Sequence, residues 1–102
     1  MAVVRSRWFV YVARCADGSI YTGVARDVAA RIAEHDAGKG AKYTRGRGPL
    51  HVLAVRPCAT QGNALRLELA VKRLPKDAKE ALADVEVFRA LAARTARRAR
   101  GG

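Results

Sequence analysis

Tyr11 and Tyr21 stand ten positions apart, on either side of the turn signal CADGS at residues 15 to 19, and Gly23 follows closely. A phenol donates and accepts hydrogen bonds, and once deprotonated it can act as a base. Arg31 and His35 follow at an i, i+4 spacing, which puts a cation and a titratable ring on one stripe of a helix. Glu68 is the sole acid between Asp36 and Asp77. Its helix neighbours are Ala64, Leu65, Val71 and Lys72, and a carboxylate on such a stripe is costly unless paired or bound to a cation. The pairing reading is an i, i+4 salt bridge to Lys72. The ligand reading is one Mg²⁺ or Mn²⁺ ion, which keeps most of its waters and takes one or two carboxylates with phosphate oxygens.

The segment GKGAKYTRGRG at residues 38 to 48 adds Lys39, Lys42, Arg45 and Arg47 with Tyr43 among them and no acid. Glycines let backbone N–H groups approach phosphates, and the cations supply attraction. The 102-residue chain carries 20 Lys and Arg against 9 acids, a formal charge of +11. That balance favours a polyanionic partner, DNA, RNA or an anionic surface. A GC-rich genome, which inflates Ala and Arg throughout, would give the same charge without any such partner. The apolar run from Trp8 to Ala13 is too short for a signal peptide or a membrane span, so a soluble, cytoplasmic protein is expected. Cys15 and Cys58 have no zinc-ligand spacing and read as small hydrophobes rather than a disulfide.

The elements that must position these residues follow from pattern. Trp8 to Arg14 and Ile20 to Val24 are rich in β-branched and aromatic residues and read as paired strands. Asp27 caps a helix to about Ala37, with Gly38 at its end. Leu50 to Arg56 reads as a third strand, ended by Pro57. Thr60 or Asn63 caps a second helix through Leu74. A third runs from Lys76 to Ala83, and a fourth from Asp84 to about Ala93. Residues 1–93 are expected to form one domain and residues 94–102 a basic, frayed tail. The order β-β-α-β-α-α gives an α+β class, a small sheet carrying helices.

Turn length decides where the two phenols point, because side chains alternate faces along a strand. A two-residue Asp17-Gly18 turn puts Tyr11 and Tyr21 on opposite faces. A three-residue turn over residues 16–18, with Gly18 left-handed, puts both on one face and sets Gly23 across from Tyr11. The residues alone allow either.

Together these residues resemble the GIY-YIG nuclease family, and most closely its small stand-alone bacterial members. VYV at 10 to 12 stands where the family has GIY, and YTG at 21 to 23 where it has YIG. RDVAARIAEH at 26 to 35 is similar to the helix carrying the family's arginine and histidine. GKGAKYT resembles the loop that follows, and ALRLELAVKRL at 64 to 74 the helix carrying its metal-binding glutamate. The resemblance implies a three-stranded antiparallel sheet flanked by helices, with both phenols on the face that carries Arg31 and Glu68, and hence the three-residue turn. It implies a divalent-metal-dependent endonuclease that hydrolyses DNA with little sequence specificity, in repair or recombination, using one Mg or Mn ion and no small-molecule cofactor. Tyr11, Tyr21, Arg31, His35 and Glu68 would be catalytic, with Glu68 holding the metal. Gly23, Lys39, Lys42, Tyr43, Arg45, Arg47 and Lys72 would meet nucleic acid, DNA before RNA, with no membrane partner. Arg31 and the metal would lower the Tyr11 pKa. Many members carry an asparagine well after the glutamate, and here no Asn follows Asn63. That departure leaves a second reading open, a scaffold that grips DNA or RNA without turnover.

Overall fold

Three segments pair antiparallel into one sheet of order β2-β1-β3, with β1 at Trp8–Arg14, β2 at Ile20–Ala25 and β3 at His51–Cys58. The computed structural model describes residues 7–101. Residues 1–6, which the sequence pattern assigns to the domain, and Gly102 of the expected tail lie outside the described residues. The helices are α1 at Val28–Asp36, α2 at Gln61–Lys72, α3 at Lys76–Ala81 and α4 at Val85–Gly101.

Tyr11 is paired with Gly23 and Ala13 with Tyr21, the register of the three-residue turn. Cys15 N–H donates to Ser19 O at 2.8 Å, and Gly18 sits at φ 86°, a conformation that favours glycine. The Asp17 carboxylate accepts from the Ser19 backbone N–H at 3.0 Å and closes the turn.

Alternation along β1 then sorts the core. Val10 and Val12 face Ala64, Leu67 and Val71 of α2, together with Leu82 and Phe88. Tyr11 and Ala13 face the other way, with Cys15, Ala25 and Leu50, and α1 covers them through Val28 and Ile32. The sheet is thus sandwiched, α1 on one face and the C-terminal helices on the other.

Asp27 caps α1 by accepting from Ala30 N–H, and Thr60, the first of the two expected candidates, caps α2 by accepting from Asn63 N–H. Two boundaries differ from expectation for identifiable reasons. Pro57 lies inside β3 rather than ending it, because β3 is an edge strand whose outward N–H has no ladder partner to lose. The fourth helix continues past Ala93 to Gly101, so most of the expected frayed tail is helical. Alanine and arginine dominate there, and both are strong helix formers. The basic loop also holds a short 3₁₀ turn at Lys42–Thr44 that no periodicity announces.

Candidate active site

Gly23 is the reason the Tyr11 ring can lie flat across β2. A Cβ at position 23 would stand 2.5 Å from the Tyr11 hydroxyl, so any larger residue would displace the ring. Tyr11 is fully buried, as is His35 one layer above it on α1. Its hydroxyl lies 2.8 Å from His35 Nε2. The far side of the imidazole is also engaged. His35 Nδ1 is 2.7 Å from Thr44 Oγ1 and 3.3 Å from Ala41 N, and Thr44 Oγ1 donates to Ala41 O at 2.8 Å. Gly40 permits this, since a Cβ there would overlap the imidazole. His35 is therefore not the solvent-facing helix-end histidine that its position in α1 allows.

Tyr21 completes an aromatic group. Its ring centroid is 6.1 Å from Tyr11 and 5.0 Å, edge-on, from His35, and it stacks with Tyr43 at 5.9 Å. Arg47 lies over the Tyr43 ring at 4.4 Å while bonding Asp17 at 2.6 Å. Its guanidinium is thus committed to holding the loop against the hairpin.

Burial pushes the Tyr11 phenol well above its ordinary pKa, because a desolvated phenolate is costly. The Tyr21 phenol and the Glu68 charge push the same way, and Arg31 pulls against them. The expected lowering by Arg31 is thus present as a pull, but desolvation outweighs it. Burial, and then the Arg31 charge, hold His35 below its usual value, so the ring is neutral at neutral pH.

Arg31 shares α1 with His35, is half-buried and forms an ion pair with Glu34 at 2.9 Å. Glu68 arrives from the other layer. The apolar residues of α2 pack on the Val10–Val12 face, and the helix abuts both β1 and β2. The phenols and Arg31 thus share a face as expected; α2, which carries Glu68, packs on the other face, and the Glu68 charge reaches Tyr11. Its side chain is 19% exposed and pairs with Lys72 at 3.3 Å, the pairing that the spacing allows. Among the described residues no group of three or more His, Cys, Asp or Glu is placed to hold a metal.

Lys39, Lys42 and Arg45 are exposed around the loop. Lys72 borders a groove of about 310 Å³ lined by Ile20, Tyr21, Thr22, Tyr43 and Lys79 along the β2 edge. Sequence reasoning missed Lys79, Thr44 and Gly40. Thr44 is one hydroxyl in a basic loop, and only the GKGAKYT segment as a whole carries any signal. Among the described residues no helix is long and apolar enough to cross a membrane.

Residues 7–81 match the GIY-YIG catalytic domain. A UPF0213 protein of Cupriavidus pinatubonensis is 52% identical over 71 residues, covering 70% of this chain and 79% of its own. One from Halobacterium salinarum is 48% identical over 73 residues, covering 72% and 95%. The solution NMR structure of a UPF0213 protein from Bacillus halodurans matches with TM-score 0.50 at 41% identity, over 85% of this chain and 93% of that one. The solution NMR structure of an E. faecalis protein matches with TM-score 0.56 at 32% identity, over 79% and 86%. With a domain match across residues 7–81 and relatives this similar, the chain belongs to the GIY-YIG family.

Proposed function

We propose that this protein is a divalent-metal-dependent endonuclease that hydrolyses phosphodiester bonds in DNA with little sequence specificity, in repair or recombination. The observation that carries the reading is the buried contact of 2.8 Å between the Tyr11 hydroxyl and His35 Nε2, beside Arg31 and within reach of the Glu68 charge. A neutral imidazole against a buried phenol is an arrangement for moving a proton, and packing alone has no need of it.

The donor set fits one hard cation that keeps its waters. Glu68 offers a carboxylate, and Lys72 is an exposed cation that can swing aside. A divalent ion held by Glu68 would supply Lewis-acid stabilisation of the phosphate and of the leaving 3′ oxygen. The chain's own residues do the rest. Once bound substrate uncovers its hydroxyl, which is buried in the free protein, Tyr11 takes a proton from the attacking water as its own proton passes to His35. The water oxygen bonds to phosphorus, the bond from phosphorus to the 3′ oxygen breaks, and the departing oxygen takes a proton from solvent. Arg31 offsets the negative charge that builds on the phosphoryl oxygens. Tyr21 closes one side of the site and orients the water. Gly23 lets the Tyr11 ring lie against β2 and so sets where its hydroxyl stands. Lys39, Lys42, Arg45 and Lys72 attract the backbone, and Tyr43, with Arg47 holding its loop, packs against it.

The Glu68–Lys72 pair favours a second reading, a scaffold that grips DNA or RNA without turnover. Incubating the pure protein with labelled duplex, single-stranded and branched DNA and with RNA, in Mg²⁺, Mn²⁺ or EDTA, separates the two. The nuclease reading predicts metal-dependent cuts in DNA. Binding without cuts in any metal supports the scaffold.

A further inference from the structure

We infer that Thr44 is a positioning residue that fixes His35 as the tautomer protonated on Nδ1, leaving Nε2 free to accept the Tyr11 proton. The catalytic half of this inference rests on the nuclease reading; the tautomer itself does not.

The site is closed, so its protons can be counted. Tyr11, His35 and Thr44 are each at most 1% exposed, and their polar atoms must bond to one another. Thr44 has one hydroxyl proton and two close neighbours, His35 Nδ1 at 2.7 Å and Ala41 O at 2.8 Å. Suppose Nδ1 carries the imidazole proton. Then Tyr11 O–H donates to Nε2, Nδ1–H donates to Thr44 Oγ1, and Thr44 O–H donates to Ala41 O. All three short contacts are bonds, and only the Ala41 N–H, at 3.3 Å, loses an acceptor.

Now suppose Nε2 carries it. Nε2–H then donates to the Tyr11 oxygen, and the buried Tyr11 O–H has no acceptor among the described residues. Thr44 must also give up one of its two short bonds. The second tautomer strands a fully buried hydroxyl and breaks a contact of 2.7 or 2.8 Å, whereas the first gives up one 3.3 Å contact of a part-buried N–H, and an unsatisfied polar group costs about 1–3 kcal/mol only to the extent that it is buried. The first tautomer therefore wins.

Local structure holds Thr44 to this task. Its backbone N–H closes the 3₁₀ turn on Ala41 O at 3.0 Å, so main chain and side chain converge on one carbonyl. Gly40 brings that turn against the ring without a clash. When the proton moves, the Tyr11 O–H bond breaks and an Nε2–H bond forms. The imidazolium then has both N–H groups satisfied, one on the phenolate and one on Thr44. The phenolate becomes a phenol again by taking the proton of the attacking water, and the imidazolium releases its extra proton to solvent as product leaves, which returns the site to its starting charge.

The test is ¹⁵N NMR of the metal-free protein at a pH where His35 is neutral. The native chain should show Nδ1 as the protonated, pyrrole-like nitrogen and Nε2 as the bare, pyridine-like one. Thr44→Val, which keeps the shape and removes the hydroxyl, should move His35 toward the Nε2-protonated form, and Thr44→Ser should restore it. In the cleavage assay Thr44→Val should lower kcat about tenfold or more with KM for DNA little changed, and Thr44→Ser should recover it. Nε2 protonated in the native chain would overturn the inference, as would an unchanged tautomer in Thr44→Val. If that variant does not fold, the tautomer of the native chain decides. Absence of any nuclease activity would count against the proposed function while leaving the tautomer measurement intact.

Discussion

The two faces of β1 differ by one residue in register and by almost everything in chemistry. Val10 and Val12 lie against Ala64, Leu67 and Val71 in an apolar layer that needs no partner beyond close packing. Tyr11, one position along, is just as buried, but its hydroxyl is bonded to a buried histidine that is bonded in turn to a buried threonine. The first face makes the fold. The second accepts the cost of burying polar groups and meets it with a connected chain of bonds. Such a site holds its geometry tightly, and its reactive groups are shifted from their solution behaviour.

Breaking each face should therefore damage a different property. Tyr11→Phe removes only the hydroxyl, so cleavage should fall by about 10²–10⁴, while stability falls by only about 1 kcal/mol for the buried His35 Nε2 left without its partner. Leu67→Ala should do the reverse. It opens a cavity worth about 2–5 kcal/mol in unfolding free energy, with cleavage per folded molecule retained. Denaturant titrations alongside cleavage rates would read both. If both variants lost stability equally and activity equally, the division between the faces would be wrong.

The strands and the turn options are visible in the sequence because β-branched residues, a D-G dipeptide and Gly23 each carry a local signal. The turn length stays open there, since side-chain direction depends on one residue of loop. Pattern alone misplaces the interior Pro57, because edge position is a property of the sheet and not of the strand. It also misplaces the 94–101 segment, whose Arg content suggests solvation while its Ala and Arg propensities favour helix. Tyr11, Tyr21 and Arg31 stand out as a group, and both phenols do lie on the α1 face. Two features are beyond reach. Thr44 has no periodicity or spacing to mark it. The layer from which Glu68 approaches depends on how α2 wraps the β2 edge.

Smaller effects sharpen the same contrast. The basic residues outside the buried site should act without geometry. Replacing Arg94, Arg97 and Arg98 with Gln should make the salt dependence of DNA affinity shallower, by about 0.9 in log–log slope for each phosphate no longer neutralised. Cleavage at low salt should survive, and fluorescence anisotropy across a salt series would show the change.

The depressed His35 pKa gives a pH signature. Below the ordinary histidine value the unfolded chain takes up a proton that the folded site resists, so stability should fall as pH drops from about 6.5 toward the lower folded value. Cleavage should fail on the same acid limb, since a protonated ring cannot accept from Tyr11. His35→Gln should flatten the stability profile in that window.

The smallest effect belongs to the apolar face. Thr22 Oγ1 is a buried polar atom without a hydrogen-bond partner among the described residues, facing the Val12 side of the sheet. Thr22→Val should stabilise the protein by about 1 kcal/mol, read as a rise in Tm, and leave cleavage unchanged.

The most direct measurement is cleavage and binding of labelled DNA by the native protein and by Glu68→Gln, side by side in Mg²⁺ and in EDTA. The substitution keeps the shape of the side chain and removes the charge that would hold the metal. The native protein should cut in Mg²⁺ and not in EDTA. Glu68→Gln should fold, bind DNA at least as tightly because a repulsive charge is gone, and cut slower by about 10²-fold or more. A Glu68→Gln protein that cuts as fast as the native one, or a native protein that binds and never cuts, would overturn the proposed mechanism.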